Sequence, residues 1–178
     1  MCVVAYRVPT CSLFHMNNVD PSAEVHESVV IPRSTRVWGH TQIRENAKIG
    51  ANCIIGRNVY IGPGVVIGDN CKIQNNALIY EPAILEDGVF IGPAVVLTND
   101  RQPRAINRDG SLKGPSDWEL AGVVIRRGAS IGASAVCVAP VEVGEWAVIG
   151  ANSVLTRDAE AGMVYAGNPA KAKGQAYD

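Results

Sequence analysis

The chain has 178 residues, about one domain, and a hydrophobic content of 47% that can fill a substantial core. Sixteen basic and 17 acidic residues, spread without long runs, leave a formal charge of -1, so charge gives no ground for a nucleic-acid or anionic-membrane partner. Five cysteines without C-x-x-C spacing argue against a disulfide framework or thiolate zinc site and suit a reducing cytoplasm, while 18 glycines beside only 6% aromatics favour tight corners around small side chains.

In chain order, residues 1–18 come first. The opening MCVVAYRVPTCSLF is apolar, but Arg7 and Pro9 interrupt it, it lacks a basic start, and it is too short to span a bilayer. It reads as an extension. From Val19 an aliphatic residue leads every sixth position, through Val25, Ile31, Val37, Ile43 and onward to Leu97. Four places after each leader stands a small or β-branched residue, such as Ala23, Thr35, Cys53 or Val89. The register resumes at Ile125 and runs to Leu155, for nineteen hexads in two blocks. A helix needs apolar spacings of three and four and a simple strand needs two, so a strict six fits a short strand plus a corner. Three sides are the fewest that enclose a core, giving about 18 residues per turn and rungs about 4.8 Å apart. The expectation is an all-β parallel β-helix of about six coils over residues 19–160, with a loop at 100–124 and a C-terminal tail at 161–178. Cys53 and Cys71 fall in one column and read as core fillers.

Departures from the repeat are where chemistry is sought. Residues 100–124, DRQPRAINRDGSLKGPSDWELAGVV, lack the hexad pattern and are rich in Pro, Gly and charge. They predict a projecting loop, functional or disordered, whose Trp118 favours packing on a neighbour. The Gly that usually follows a leader is replaced by Gln74, Tyr80, Glu86 and Thr98. At about 18 residues per turn Asn99 stacks over Glu81 and Thr98 over Tyr80, with Gln74, Asn75 and Asn76 at the preceding corner. Polar groups converge beside the root of the loop, although Asn also suits corner backbone for its own sake, as at Asn58 and Asn70.

The repeats IGANCI, IGRNVY, IGPGVV and IGANSV, closed by AGNPAK, resemble the hexapeptide-repeat acyltransferases over residues 19–171. That resemblance implies a left-handed coil and a homotrimer whose clefts between subunits hold acyl coenzyme A. The run KIQNNALIYEPAILEDGVFIGPAVVLTNDRQPRA resembles the subgroup that N-acetylates nucleotide-linked 3-amino sugars. It implies transfer from acetyl coenzyme A to the 3-amino group of a UDP- or dTDP-linked sugar, with Asn99 near that group. Gln74, Asn75, Asn76, Tyr80, Thr98 and Arg104 are then the expected substrate contacts.

An amine acceptor needs a neutral nitrogen, a nearby thioester carbonyl and one base. Glu81, aimed by Asn99, is the candidate; the alternatives are that it caps a corner or pairs with Arg104. Small residues at Gly132, Ala133, Gly150 and Ala151 would let a pantetheine arm approach backbone amides. The resemblance places the far end of the coenzyme near Asn168 and Lys171, where the lysine could meet a phosphate. The only histidines are His15, His26 and His40, so the three late-coil zinc ligands of the β-helical carbonic anhydrases are missing and no metal is expected. An O-acyltransferase would want a histidine base in the cleft, which leaves that reading and a non-catalytic scaffold as alternatives.

Overall fold

A computed structural model describes residues 18–176, so the expected N-terminal extension lies outside the described residues apart from Asn18. Every regular element among them is a β-strand, and most are two residues long, such as Arg36–Val37, Gln42–Ile43 and Lys48–Ile49. In each pair the second residue is a leader pointing inward, while the first faces out. The alternation is that of any strand, but only one inward residue fits before the chain must turn.

Three parallel faces result. The first, containing Arg36–Val37, has eight strands; the second, containing Gln42–Ile43, has seven; the third, containing Lys48–Ile49, has five. Pairing is in register at 18-residue intervals, as in Val37 with Ile55 and Ile43 with Ile61. The stack is taller than the six coils counted from the hexads. Val19 pairs beneath Val37, and Met163–Ala166 pairs above Val148–Ile149 before the antiparallel Lys171–Gln175 closes the first face. The sequence count stopped short at the top because Met163–Ala166 lies outside the hexad pattern.

The core is the column of leaders, with Ile55, Ile61, Ile73, Ile79, Leu97, Ile125 and Ile149 fully buried. Burying each contributes about 1.5–3 kcal/mol before entropy, an upper figure because unfolded chains already bury some apolar surface. Thr35 and Thr41 are buried too, and their hydroxyls donate to the carbonyls of Gly50 and Gly56 at 2.7 and 2.6 Å. Cys53, Cys71 and Cys137 are buried free thiols that fill the same interior, and burial pushes the Cys137 thiol up to about 12.

Corners are made three residues after most leaders, where φ is positive: Asn46, Asn52, Asn58, Asn70 and Asn76 all lie between 55° and 63°. Asn tolerates this left-handed region better than most residues, which explains its recurrence there. The three edges of the prism are named by the faces they join. The first edge joins the first and second faces, the second edge joins the second and third, and the third edge returns to the first.

Candidate active site

The second edge carries the densest group of side chains that replace corner glycines. Pairing of Leu97 with Ile79 puts Thr98 over Tyr80 and Asn99 over Glu81. One rung lower, pairing of Ile79 with Ile61 sets Tyr80 over Gly62 and Glu81 over Pro63, and Arg44 and Glu45 lie below those. Gly62 has no side chain, and Glu81 Oε2 occupies the space where its Cβ would stand. That oxygen is buried and has no hydrogen-bond partner among the described residues. A buried acceptor left without a donor is costly, so its place in the fold calls for a cause.

Aromatic rings wall the same spot. Tyr60 faces outward from Tyr60–Ile61 and its ring centroid lies 5.2 Å from that of Tyr80, tilted by 48°. Burial, and then the Glu81 carboxylate, push the Tyr60 phenol above its ordinary value, while Arg44 pulls it the other way. Arg44 itself donates twice to Glu45, at 2.8 and 3.0 Å. The sequence reading passed over Tyr60, Gly62 and Arg44 because it looked only for broken corners. An aromatic at an outward strand position beside an empty glycine corner was the available signal.

Directly above, the Thr98 hydroxyl accepts the Ala139 N–H at 3.0 Å, and the Asn99 carbonyl accepts the Ala121 N–H at 3.0 Å. The Asn99 side-chain amide makes no hydrogen bond among the described residues, which leaves both its donor and its acceptor for a ligand. The Asn99–Ala121 bond and a bridge between Asp100 and Leu120 close the root of the loop. Its returning limb crosses the Glu81–Pro82 corner so closely that a Cβ on Gly122 would be 3.0 Å from Pro82 Cγ. The loop has internal order: Ile106 bridges Leu112, Asn107 N–H donates to the Ser111 carbonyl, and Asp117 accepts the Gly114 N–H at 2.7 Å. Trp118 is half-buried, and Arg104 is exposed with no ion pair to Glu81.

Gln74, Asn75 and Asn76 lie on the first edge, a full face away. Asn75 Oδ1 accepts the Arg57 N–H at 2.8 Å, and Asn76 Oδ1 accepts from Asn58 Nδ2 at 3.2 Å. Both side chains are thereby engaged in a ladder along the edge, and a single chain does not bring them to Glu81. Glu86 is on the third edge. Its carboxylate accepts from Arg126 at 2.8 Å and from the Arg127 N–H at 2.9 Å, and Arg126 also binds Glu142 at 2.8 Å. Hydrogen bonds from Arg126 hold Glu86 and Glu142 below the usual carboxylate range. An open cavity of about 430 Å³ beside them belongs to that edge, not to Glu81.

Higher on the first edge, Gly132 and Ala133 lie beneath Gly150 and Ala151. A Cβ on Gly132 would meet Ala151 Cα at 2.8 Å, so close stacking alone demands glycine there. The N–H groups of Ala133 and Ala151 have no acceptor among the described residues, unlike that of Arg57 lower on the edge. A short row of free backbone donors therefore runs up this edge. Gly150 abuts Ala166, and the segment after it is laid across the second face by Val154 N–H to the Gly167 carbonyl and Ala170 N–H to the Val154 carbonyl. Asn168 and Lys171 are exposed at this top end.

Comparison with known proteins agrees with the architecture. A model of the GMPPB C-terminal domain matches residues 37–105, and a model of the hexapeptide repeat of succinyl-transferase matches residues 122–157. A dTDP-3-amino-3,6-dideoxy-alpha-D-galactopyranose 3-N-acetyltransferase from Aneurinibacillus thermoaerophilus is 49% identical over 51 residues, 29% of this chain and 27% of that protein. The match thus spans about a quarter of the curated relative. Among solved structures, a hexapeptide-repeat acetyltransferase of Vibrio cholerae complexed with acetyl coenzyme A superposes with a TM-score of 0.60 at 22% identity, covering 75% of this chain and 73% of that one. A mutant N-acyltransferase of Bacillus cereus, complexed with dTDP-4-amino-4,6-dideoxyglucose and coenzyme A, gives 0.58 at 17% identity over 90% and 81%. At such identities these structures speak for the fold. In its repeats and its fold the chain resembles the hexapeptide-repeat acyltransferases.

Proposed function

We propose that the protein is an N-acetyltransferase that moves the acetyl group of acetyl coenzyme A to the 3-amino group of a UDP- or dTDP-linked amino sugar. The observation that carries this reading is the Glu81 carboxylate, one oxygen buried without a donor, beneath an uncommitted Asn99 amide and at the foot of an ordered loop. The partial match to a 3-amino sugar N-acetyltransferase supplies the acceptor class.

Acetyl transfer to an amine asks little of a protein beyond placement. Asn99 holds the amino group, and the nitrogen lone pair attacks the thioester carbon. As the N–C bond forms and the C–S bond breaks, Glu81 takes the proton the nitrogen sheds and coenzyme A leaves as its thiol or thiolate. Tyr60, Tyr80 and Thr98 shape the acceptor pocket, and Arg104 on the loop is placed to meet an anionic part of the substrate. The free amides of Ala133 and Ala151 take the pantetheine arm, with Asn168 and Lys171 at the phosphate end.

These two groups lie on different edges of the prism, separated by a face of six residues, up to about 20 Å wide, and on different rungs of the stack. Reacting atoms must come within about 3.5 Å. A homotrimer, in which the first edge of one chain lines a cleft with the second edge of the next, unites them. The acceptor and the free thiols both suit the cytoplasm.

Thiol release from acetyl coenzyme A against UDP- and dTDP-linked 3-amino and 4-amino sugars tests the reading. Turnover on a 3-amino sugar is expected, with Asn99→Ala lowering kcat/KM on the order of a hundredfold. Silence across the panel from a folded protein would point instead to an O-acyltransferase or a scaffold.

A further inference from the structure

The geometry points to Pro63 as a positioning residue that keeps the Glu81 carboxylate free for the acceptor amine; this rests on the acetyltransferase reading above. The case comes from four corners built alike. At each, the second residue after a leader carries a side-chain oxygen that settles over the glycine one rung below: Asp69 over Gly50, Asn75 over Gly56, Asp87 over Gly68 and Glu81 over Gly62. At the first three, that oxygen accepts the backbone N–H of the residue following the glycine: Ala51 at 2.7 Å, Arg57 at 2.8 Å and Asp69 at 2.7 Å. The oxygen is thereby tied into the wall of the prism.

The residue following Gly62 is Pro63, which has no N–H. Glu81 Oε2 therefore occupies the place of a ladder acceptor and finds no donor, and it alone is a buried side-chain oxygen or nitrogen without a partner among the described residues. The other three corners are structural because the residue below can donate. This one is not, because a single ring closure removed the donor. An N–H at position 63 would take the lone pair of Oε2 and draw charge from the whole carboxylate, making it a poorer partner for the nitrogen of the acceptor.

Pro63→Ala restores that donor with little change of shape. In the full-length protein the expected result is a fall in kcat of roughly ten- to a hundredfold, the range of one hydrogen bond to a charged group. KM for acetyl coenzyme A and the thermal midpoint stay near their wild-type values. The deciding arm is a double-mutant cycle: in a Glu81→Gln background, Pro63→Ala should cause no further loss, because its effect passes through the carboxylate. An equal loss in both backgrounds, or unchanged kcat in the single variant, would overturn the role of Pro63. A second readout is independent of activity. The new amide at position 63 should be protected from hydrogen exchange, and lose that protection when Glu81→Ala is added. If wild type acetylates no amine while this amide is protected, the acetyltransferase reading fails and the ladder geometry stands; if wild type turns over and the amide is unprotected, the inference about Pro63 fails alone.

Discussion

Arg126 donates to Glu86 and Glu142 on the third edge, joining the rung before the loop to rungs after it, and its effect on stability has a definite sign with pH. Both carboxyls are held below their ordinary value in the folded chain, first by the Arg126 hydrogen bonds. Their contribution is present above the unfolded carboxyl value of about 4.3 and is lost as pH falls through the depressed folded values. Arg126→Ala should therefore lower the thermal midpoint at pH 7 by a small amount, since the side chains are 35–46% exposed and screened by solvent. The two proteins should converge in acid, once the pH lies below the depressed folded values and the carboxyls are protonated in both. Calorimetry across that range checks it, and a gap that persists in acid would mean that Arg126 acts by packing. At the same scale, the stacking of Asn99 over Glu81 was legible in the sequence, because an unbroken six-residue period makes the register a matter of counting. The freedom of Glu81 was not legible. It depends on what stands one turn earlier, at Pro63, and on a side-chain ladder whose rule emerges only when several corners are compared.

Among the described residues, the loop at residues 98–122 is the one element that interrupts the coil, and the coil closes around it. Ile84 and Leu85 pair with Val124 and Ile125 as directly as with Val66 and Ile67 below. Replacing residues 101–120 by a short Gly-rich link should leave the solenoid intact, with an unchanged strand signal in circular dichroism and a midpoint within a few degrees, because little of the loop enters the core. Turnover with the sugar acceptor should fall below detection, and an active deletion would remove the loop from the site. The place of this element was readable from where the hexads stop and resume, but the expected bounds of 100–124 took in Val123 and Val124, which pair in the strand Val123–Ile125. The interior of the loop was not readable: the Ile106–Leu112 bridge and the Asn107–Ser111 turn follow from local polar contacts that have no period to announce them. Gln74, Asn75 and Asn76 show the opposite limit. Counting placed them on a neighbouring corner correctly, but it could not say that two of their side chains were already committed along the edge.

For the whole molecule, the faces separate what chemistry must join. If the cleft is shared between chains, two different defects should complement. A trimer mixed from Glu81→Gln chains and from chains blocked on the coenzyme edge by Ala151→Arg should recover part of the wild-type rate, although each variant alone is nearly inactive. Sizing at a single-chain mass, or mixtures as dead as their parents, would rule out a shared cleft. No helix among the described residues is long and apolar enough to cross a membrane. Overall architecture was the most legible level, since the leaders name the core; the height of the stack was less so, because its top rung is made from irregular sequence.

That top rung has a consequence for solubility. A parallel coil presents at its last turn a row of unpaired N–H and C=O groups, an open invitation for another copy to stack on and so begin a fibre. Here the uppermost strand of the first face, Met163–Ala166, is met by Lys171–Gln175 running the other way, which brings Lys171 and Lys173 and a kink at Gly174, φ 132°, to the rim. Reversed direction, positive charge and a bent backbone make a poor template. The hairpin gives a repeat that could in principle extend without limit a definite last turn.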